Sequence, residues 1–288
     1  MRKAIITVWS VALLAGSAGA ALLVEEQFDY GIGSALSTWN GGTGFSSSAW
    51  SPGTTGTTLD NGLSLGNMQV AGGSAHIQFT AGSAFSAGTM GRQFNNAGAS
   101  SGDLWMAYLL QFDTTRSTIP LDEALEVRPG AGDIRTKIDE NSSAIGVRYG
   151  SAWSSAVDSS VKDGTTLLFV SKFPDLGSAT GSSARGWGMT AAEYDSMIAN
   201  GGVSEANLDS YAGIQLTKAF SANETMAGNV SMQLVPIGRN SSTPSFYIDE
   251  LRLGTTVNDV VAIPEPATMG LVALFGGGLV LLRRKFAM

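Results

Sequence analysis

Short runs in which apolar residues alternate with polar ones, or follow one another directly, recur from residue 22 to residue 253. They are Leu22–Phe28, Leu63–Val70, Ala75–Phe79, Leu104–Phe112, Ala124–Val127, Ile134–Ile138, Ala144–Tyr149, Thr166–Lys172, Gly213–Phe220, Asn229–Val235 and Ser245–Leu253. Clusters of Gly, Ser, Thr, Asn and Asp separate them. Such runs bounded by turn residues predict β-strands, and a succession of strands without intervening helical periods predicts an all-β antiparallel sandwich. In the last run Phe246 and Ile248 are out of parity with Leu251 and Leu253, which predicts a β-bulge near Asp249-Glu250. One stretch, residues 188 to 211, has the helical period instead. Thr190 with Glu193 makes a capping box, Tyr194, Met197 and Ile198 fall at i, i+3 and i+4, and Gly201-Gly202 supplies the stop. Ser204 starts a second turn, with Leu208 and Tyr211 three apart. The pattern predicts a short helical insertion between two strands, packed over an edge or end of the sandwich.

The two ends follow other rules. Residues 1 to 20 begin with Arg2 and Lys3, continue through the apolar run Ala4–Ala15 and close on Ala18-Gly19-Ala20. Positive charge, a short apolar run and a small-residue cleavage site define a secretory signal peptide, with the mature chain starting at Ala21. Near the other end, Pro264-Glu265-Pro266 precedes the uncharged run Ala267–Leu282 and then Arg283-Arg284-Lys285. As a helix that run spans about 24 Å, against a hydrocarbon core of about 30 Å, and its four glycines each cost about 1 kcal/mol of helix propensity. The reading is a single, marginal transmembrane helix. Its basic stop keeps the C-terminus in the cytoplasm and leaves the body outside. The domains are therefore 1–20 (signal peptide), 21–260 (one β-sandwich) and 261–288 (tail with a helix at about 267–282).

Composition narrows the chemistry. Of 288 residues 43% are hydrophobic and only 14% charged, so the body can bury a core, and its length suits one large all-β domain. There is no Cys and a single His, which excludes disulfides, thiolate zinc sites and histidine-cluster metal centres. Residues 21 to 263 hold 12 Lys and Arg against 23 Asp and Glu, a net charge of −11. A body this acidic disfavours nucleic acid and attracts cations; calcium is the cofactor to expect if there is one, although no EF-hand spacing is present.

Pro264-Glu265-Pro266, the Gly-rich apolar run and Arg283-Arg284-Lys285 together resemble the PEP-CTERM sorting tail of Gram-negative bacteria. The resemblance implies an exosortase-type membrane transpeptidase as partner, processing near the Pro-Glu-Pro motif and delivery to the envelope or extracellular matrix. It covers only about 25 residues. Two further stretches, Glu26-Gln27-Phe28-Asp29-Tyr30 with Asn40–Phe45 and Trp50, and Ile248–Thr256, resemble the first and last segments of concanavalin A-like jelly rolls attached to such tails. That implies a superfold used for carbohydrates, without fixing an activity.

Candidate chemistry in the body is sparse. Two carboxylates on one strand share a face only at even separation, as a glycosidase needs, whereas Glu123 and Glu126 differ by three. Asp122 and Glu126 differ by four, but Pro120 sits just before them, and the stretch reads as a solvated loop or edge strand. His76 shares parity with Ser74 and Gln78, opposite Ile77 and Phe79, and so falls on a polar face; neither Gly-x-Ser-x-Gly nor any other nucleophile motif accompanies it. The aromatics Trp39, Trp50, Trp153 and Trp187 lie in Gly/Ser-rich stretches, where they can either stack on sugar rings or plug the ends of a sandwich. Asn141-Ser142-Ser143 and Asn240-Ser241-Ser242 match glycosylation acceptors in form only. The expected function is an exported, non-enzymatic protein that binds or organises extracellular polysaccharide. A secreted polysaccharide hydrolase or lyase on the same fold is the alternative.

Overall fold

The computed structural model describes residues 21–34, 38–46, 49–50, 58–68, 70, 72–78, 90–95, 102–112, 123–129, 134–139, 144–148, 153–157, 164–176, 183–219, 229–238 and 245–261. These form fourteen strands and three helices. The strands are β1 (Leu22–Glu26), β2 (Thr58–Asn61), β3 (Gly73–Gln78), β4 (Met90–Asn95), β5 (Gly102–Phe112), β6 (Glu123–Pro129), β7 (Arg135–Asp139), β8 (Ala144–Arg148), β9 (Trp153–Val157), β10 (Leu167–Leu176), β11 (Ala184–Met189), β12 (Ile214–Lys218), β13 (Asn229–Gly238) and β14 (Ser245–Gly254). The helices are α1 (Ala191–Ala199), α2 (Glu205–Tyr211) and α3 (Val257–Val260).

Two antiparallel sheets face each other. The eight-stranded sheet runs β12-β11-β10-β5-β14-β3-β2, with β1 also on β14; the six-stranded sheet runs β4-β13-β6-β7-β8-β9. Alternation decides what lies between them. On β5, Leu104, Met106, Tyr108, Leu110 and Phe112 point into the inter-sheet core, where Val127, Val147, Met232 and Leu234 meet them from the six-stranded sheet. The Tyr108 hydroxyl and the Thr136 hydroxyl hydrogen-bond at 2.9 Å across that gap, and burial pushes the phenol's pKa up. Gly186 permits the close approach of β11 and β8, because a Cβ there would stand 2.6 Å from Val147 Cγ1.

β5 is buried on both faces. Its other set, Trp105, Ala107 and Leu109, joins Leu168, Val170, Trp187 and Met189 in a second core outside the eight-stranded sheet. Tyr194 and Met197 of α1, Leu208 of α2 and Val257 and Val260 of α3 close it. The helices thus lie across the face of that sheet rather than over an edge or end as expected, because the sheet is apolar on both sides and its outer face needs a cover. The caps are those predicted: Glu193 accepts from the Thr190 amide at 2.7 Å and the Thr190 hydroxyl at 3.0 Å, and Ser204 accepts from Asn207 N. Ion pairs fasten α2 to the strands below, with Lys172 2.9 Å from Glu205 and Arg185 forked onto Asp209.

The predicted bulge is present. β14 pairs with β3 through Ile248 and with β1 from Leu251 onward, so the irregularity at Asp249-Glu250, where Glu250 has φ +49°, marks the handover between two neighbours on one edge. It brings Phe246, Ile248, Leu251 and Leu253 into the same core. The run Leu63–Val70 is not a strand. A turn closed by Met68 N to Leu65 O breaks it, and Leu63, Leu65 and Met68 drop into the second core beside the helices. Glu126 is neither in a loop nor on an edge, since β6 lies between β13 and β7. The signal peptide, Pro264-Glu265-Pro266, Ala267–Leu282 and Arg283-Arg284-Lys285 lie outside the described residues. Among those described, no helix is long and apolar enough to cross a membrane.

Candidate functional site

Two places in the sandwich concentrate polar chemistry. The first is at the N-terminal end. On β1, Glu26 shares parity with Val24 and so points inward, where it is fully buried. Its Oε1 accepts from the Phe28 amide at 3.1 Å, and its Oε2 accepts from Trp50 Nε1 at 3.0 Å and from Arg92 at 3.1 Å; the Tyr30 hydroxyl donates to both oxygens. Arg92 also donates to the carbonyls of Gly41 (2.6 Å) and Asn40 (2.9 Å) and lies 4.0 Å over the Phe45 ring. Burial, and then the charge of Glu26, push the Tyr30 phenol up. The loop of residues 39–46 is held against β1, where Gly42 has φ +69° and an added Cβ would meet the Glu25 carbonyl at 2.5 Å. A cleft of about 290 Å³ opens beside this knot, lined by Glu25, Gln27, Asp29, Tyr30 and the Gly41–Thr43 turn.

The predicted tryptophans separate accordingly. Trp39 and Trp50 pack around Phe28, at 5.8 and 6.4 Å between ring centroids, and both are buried. Trp187 stacks on Trp105 at 5.7 Å, gives its indole N–H to Asp209 at 2.9 Å and is also buried. Trp39 and Trp50 plug the inter-sheet core and Trp187 the second core under the helices, so none of the three offers a sugar an open face on which to stack. Trp153 opens β9 directly opposite Arg148. His76 stands on the polar side of β3 as expected, half-buried and stacked on Tyr247 at 4.3 Å.

The second place is the face of the six-stranded sheet turned away from the core. Because Val127, Thr136 and Val147 point inward, their neighbours Glu126, Arg128, Arg135, Lys137 and Arg148 occupy the opposite face. Arg128 and Arg135 converge on one oxygen of Glu126, at 2.6 and 3.3 Å. Gln233 pairs with Arg128, Arg135 pairs with Arg148 and Arg148 with Trp153, so one row crosses five strands, about 19 Å at 4.8 Å per strand. Lys137 lies in the next row, opposite Glu126 on one side and Gly146 on the other. The three described helices all pack on the other sheet.

Sequence reasoning weighed Glu126 only as half of an acid pair and passed over its cationic neighbours. Their common parity, opposite Val127, Thr136 and Val147, was the available signal. Among the described residues no group of three or more His, Cys, Asp or Glu side chains is arranged to hold a metal.

No protein-family model matches the chain, and no curated protein matches its sequence. Solved structures do. The catalytic domain of a glycoside hydrolase family 131 protein from Coprinopsis cinerea is 12% identical, with 85% of this chain and 98% of that one covered, at a TM-score of 0.55. Domain 4 of a GH43 extracellular arabinanase from Geobacillus stearothermophilus, in complex with arabinotriose, is 14% identical over 85% and 96%, at 0.42. Lectin I-B4 from Griffonia simplicifolia is 10% identical over 66% and 90%, at 0.39. Identities this low speak for the fold alone: the chain is a mostly-β sandwich of the jelly-roll type.

Proposed function

We propose that this chain is an exported envelope or matrix protein, delivered through its Pro264-Glu265-Pro266 tail by an exosortase-type transpeptidase, whose sandwich binds extracellular polysaccharide. The observation that carries the binding reading is the asymmetry of the two outer faces. One is apolar and closed by α1, α2 and α3, whereas the other carries a half-buried row of hydrogen-bonding side chains from Gln233 to Arg148 with no described helix over it. A flat, polar, multi-strand row fits an extended polymer better than a compact metabolite, which would need an enclosed pocket. The test is a glycan array with the full chain in a nonionic detergent. Binding to at least one extended polysaccharide, weakened by substitutions in the row, is expected; a blank array removes the reading.

A hydrolase is the second reading, and one observation favours it. Glu126 pairs with Lys137, and Asp139 stands two residues farther along β7 on the same parity. Diagonal backbone positions on adjacent strands are about 7–8 Å apart, a spacing compatible with the span used by glycosidase carboxylates. Reducing-sugar release that disappears in Glu126→Gln would establish it, and release unchanged in that variant would exclude Glu126.

A further inference from the structure

The seam between the first and the last of the described strands ends in a polar knot that the polysaccharide reading does not use. Among the described strands β1 pairs with β14 alone, with Leu22 opposite Gly254. A strand held by one ladder frays from its terminus, and fraying here would bring Glu26, fully buried on the same strand, toward water. Two reciprocal bonds close the end of that ladder. The Thr255 amide donates to the Ala21 carbonyl at 3.1 Å, and Ala21 N donates to Thr255 Oγ1 at 3.0 Å. The same hydroxyl donates to Oδ2 of Asp259 on α3 at 3.5 Å, and that oxygen also accepts from the Thr256 amide at 2.8 Å and the Thr256 hydroxyl at 2.9 Å. Gly254 lets α3 come this near, because a Cβ there would stand 2.5 Å from Asp259 Cβ and 3.3 Å from the Ala21 carbonyl oxygen. Asp259 is the only charged side chain from Gly254 to Val261, and its described donors are all neutral. The acid on the adjoining end of β5, Asp103, pairs with Lys172 at 3.0 Å.

Ala21 is also where the signal-peptide reading starts the mature chain. Hydrolysis of the Ala20–Ala21 bond adds one water, leaves a carboxylate on the departing peptide and turns Ala21 N from an amide with one proton into an ammonium with three. We propose that the α-ammonium made at Ala21 by signal-peptide removal is seated on the Thr255 hydroxyl and the Asp259 carboxylate, so that export processing locks β1 onto β14 and α3. The proposal rests on the signal-peptide boundary and is independent of the glycan reading. The Thr255 hydroxyl accepts on one side and donates on the other, which puts the new positive charge and the carboxylate at the two ends of one short relay. Hydrogen bonds with an ionised partner are roughly twice as strong as neutral ones, and an opposite charge this close favours the protonated amine. In the precursor the same position holds a neutral amide. The seam then has its bonds but not its charge, and it reaches full strength only once the chain has been cut.

The test starts from the full chain, exported by a bacterial host with its own signal peptide and purified in nonionic detergent, its first residue read by N-terminal sequencing. One half is acetylated at about pH 6.5, where lysines are protonated and the α-amine reacts selectively. Acetylation removes the charge and leaves one N–H, as in the precursor. Urea midpoints at the same pH are then compared for the free and acetylated forms of the parent and of Asp259→Asn. Acetylation should lower the parent's midpoint by about 0.4 M and the variant's by less than about 0.1 M. If Asp259 serves only to cap α3, acetylation shifts parent and variant equally, which overturns the proposal. Thr255→Val, which removes the relay and leaves the Asp259 carboxylate, should likewise abolish the difference, and it serves if Asp259→Asn does not fold. A parent midpoint that acetylation leaves unmoved overturns the proposal without any variant. In the folded parent the α-amine should titrate above its ordinary range of about 7.7–8.0, and titration within or below that range also overturns it. A first residue other than Ala21 removes the signal-peptide boundary and the proposal together, whereas Ala21 found with no acetylation effect removes the proposal alone.

Discussion

Removing the guanidinium of Arg92 tests what holds the N-terminal segment in place. Arg92→Met keeps the aliphatic stem and deletes the bond to Glu26 at 3.1 Å, those to the Gly41 and Asn40 carbonyls at 2.6 and 2.9 Å, and the stacking on Phe45. Glu26 stays in place with its side chain 1% exposed. Removing one partner of a buried pair leaves a charge that neither water nor a counter-ion reaches, a loss of about 3–5 kcal/mol. With a urea dependence of about 2.5 kcal/mol per molar, the midpoint should fall by about 1–2 M. Trp50 supplies a local signal, since its indole donates to the same carboxylate, and its near-ultraviolet dichroism should collapse at or before the global transition. Glu26→Gln with Arg92→Met should be less destabilised than the sum of the two single variants, because the stranded charge is gone. An Arg92→Met midpoint equivalent to less than about 1 kcal/mol from the parent would refute the claim that this pair pins residues 39–46.

Three further outcomes are expected. Glu193→Ala removes the acceptor for both donors of Thr190 and should cost about 0.5–2 kcal/mol, read by urea unfolding, with no change in glycan binding. Burial pushes the Asp249 carboxyl from 3.8 up to about 8, against the opposing pull of the Leu63 and Glu250 amides. The folded chain then holds a proton that the unfolded chain releases, so this group's stability is full below about pH 4 and is lost as pH rises through about 8. Asp249→Asn should flatten that decline, and parallel unfolding-versus-pH slopes for parent and variant between pH 4 and 9 would contradict the assignment. Finally, intact-mass analysis of protein recovered from its native envelope should find a chain ending near Pro264–Pro266; if Arg283–Met288 is still attached, the tail is a permanent anchor.

Periodicity exposed the strands whose inward residues are uniformly apolar, and the capping and parity rules located α1, α2 and the bulge. It missed strands that break the pattern for a reason. β4 reads Met90-Gly91-Arg92-Gln93-Phe94-Asn95, with a charged residue on the inward parity because Glu26 awaits it. β11 carries Gly186 and Gly188, the first of which is needed for close packing, and glycine reads as turn rather than strand. The stretch Leu63–Val70 misled in the opposite sense, since apolar side chains required by a second core need not belong to a ladder. Glu26 belongs to the family-like opening, but that resemblance does not assign it a role. It falls in the series Val24, Glu26, Phe28, and an acid on an apolar parity, matched by a base in the same position between Met90 and Phe94, is a legible sign of a buried pair. The cationic face is harder to read, because the residues of β6, β7 and β8 do not by themselves specify the register that aligns Arg128, Arg135 and Arg148.

The placement of β14 has a bearing on how the chain comes to be folded at all. It is the last of the described strands to be made, yet it pairs with β1, β3 and β5 in the middle of the larger sheet, and Thr255 N closes the seam onto the Ala21 carbonyl at 3.1 Å. Every nascent length short of about residue 254 therefore lacks the element that joins β5 to β3 and β1, and leaves Phe246, Ile248, Leu251 and Leu253 missing from the core. Contacts of such long sequence separation form slowly. A polypeptide so ordered cannot close its larger sheet before residue 254 has been made, so up to that length its strands remain available to other partners.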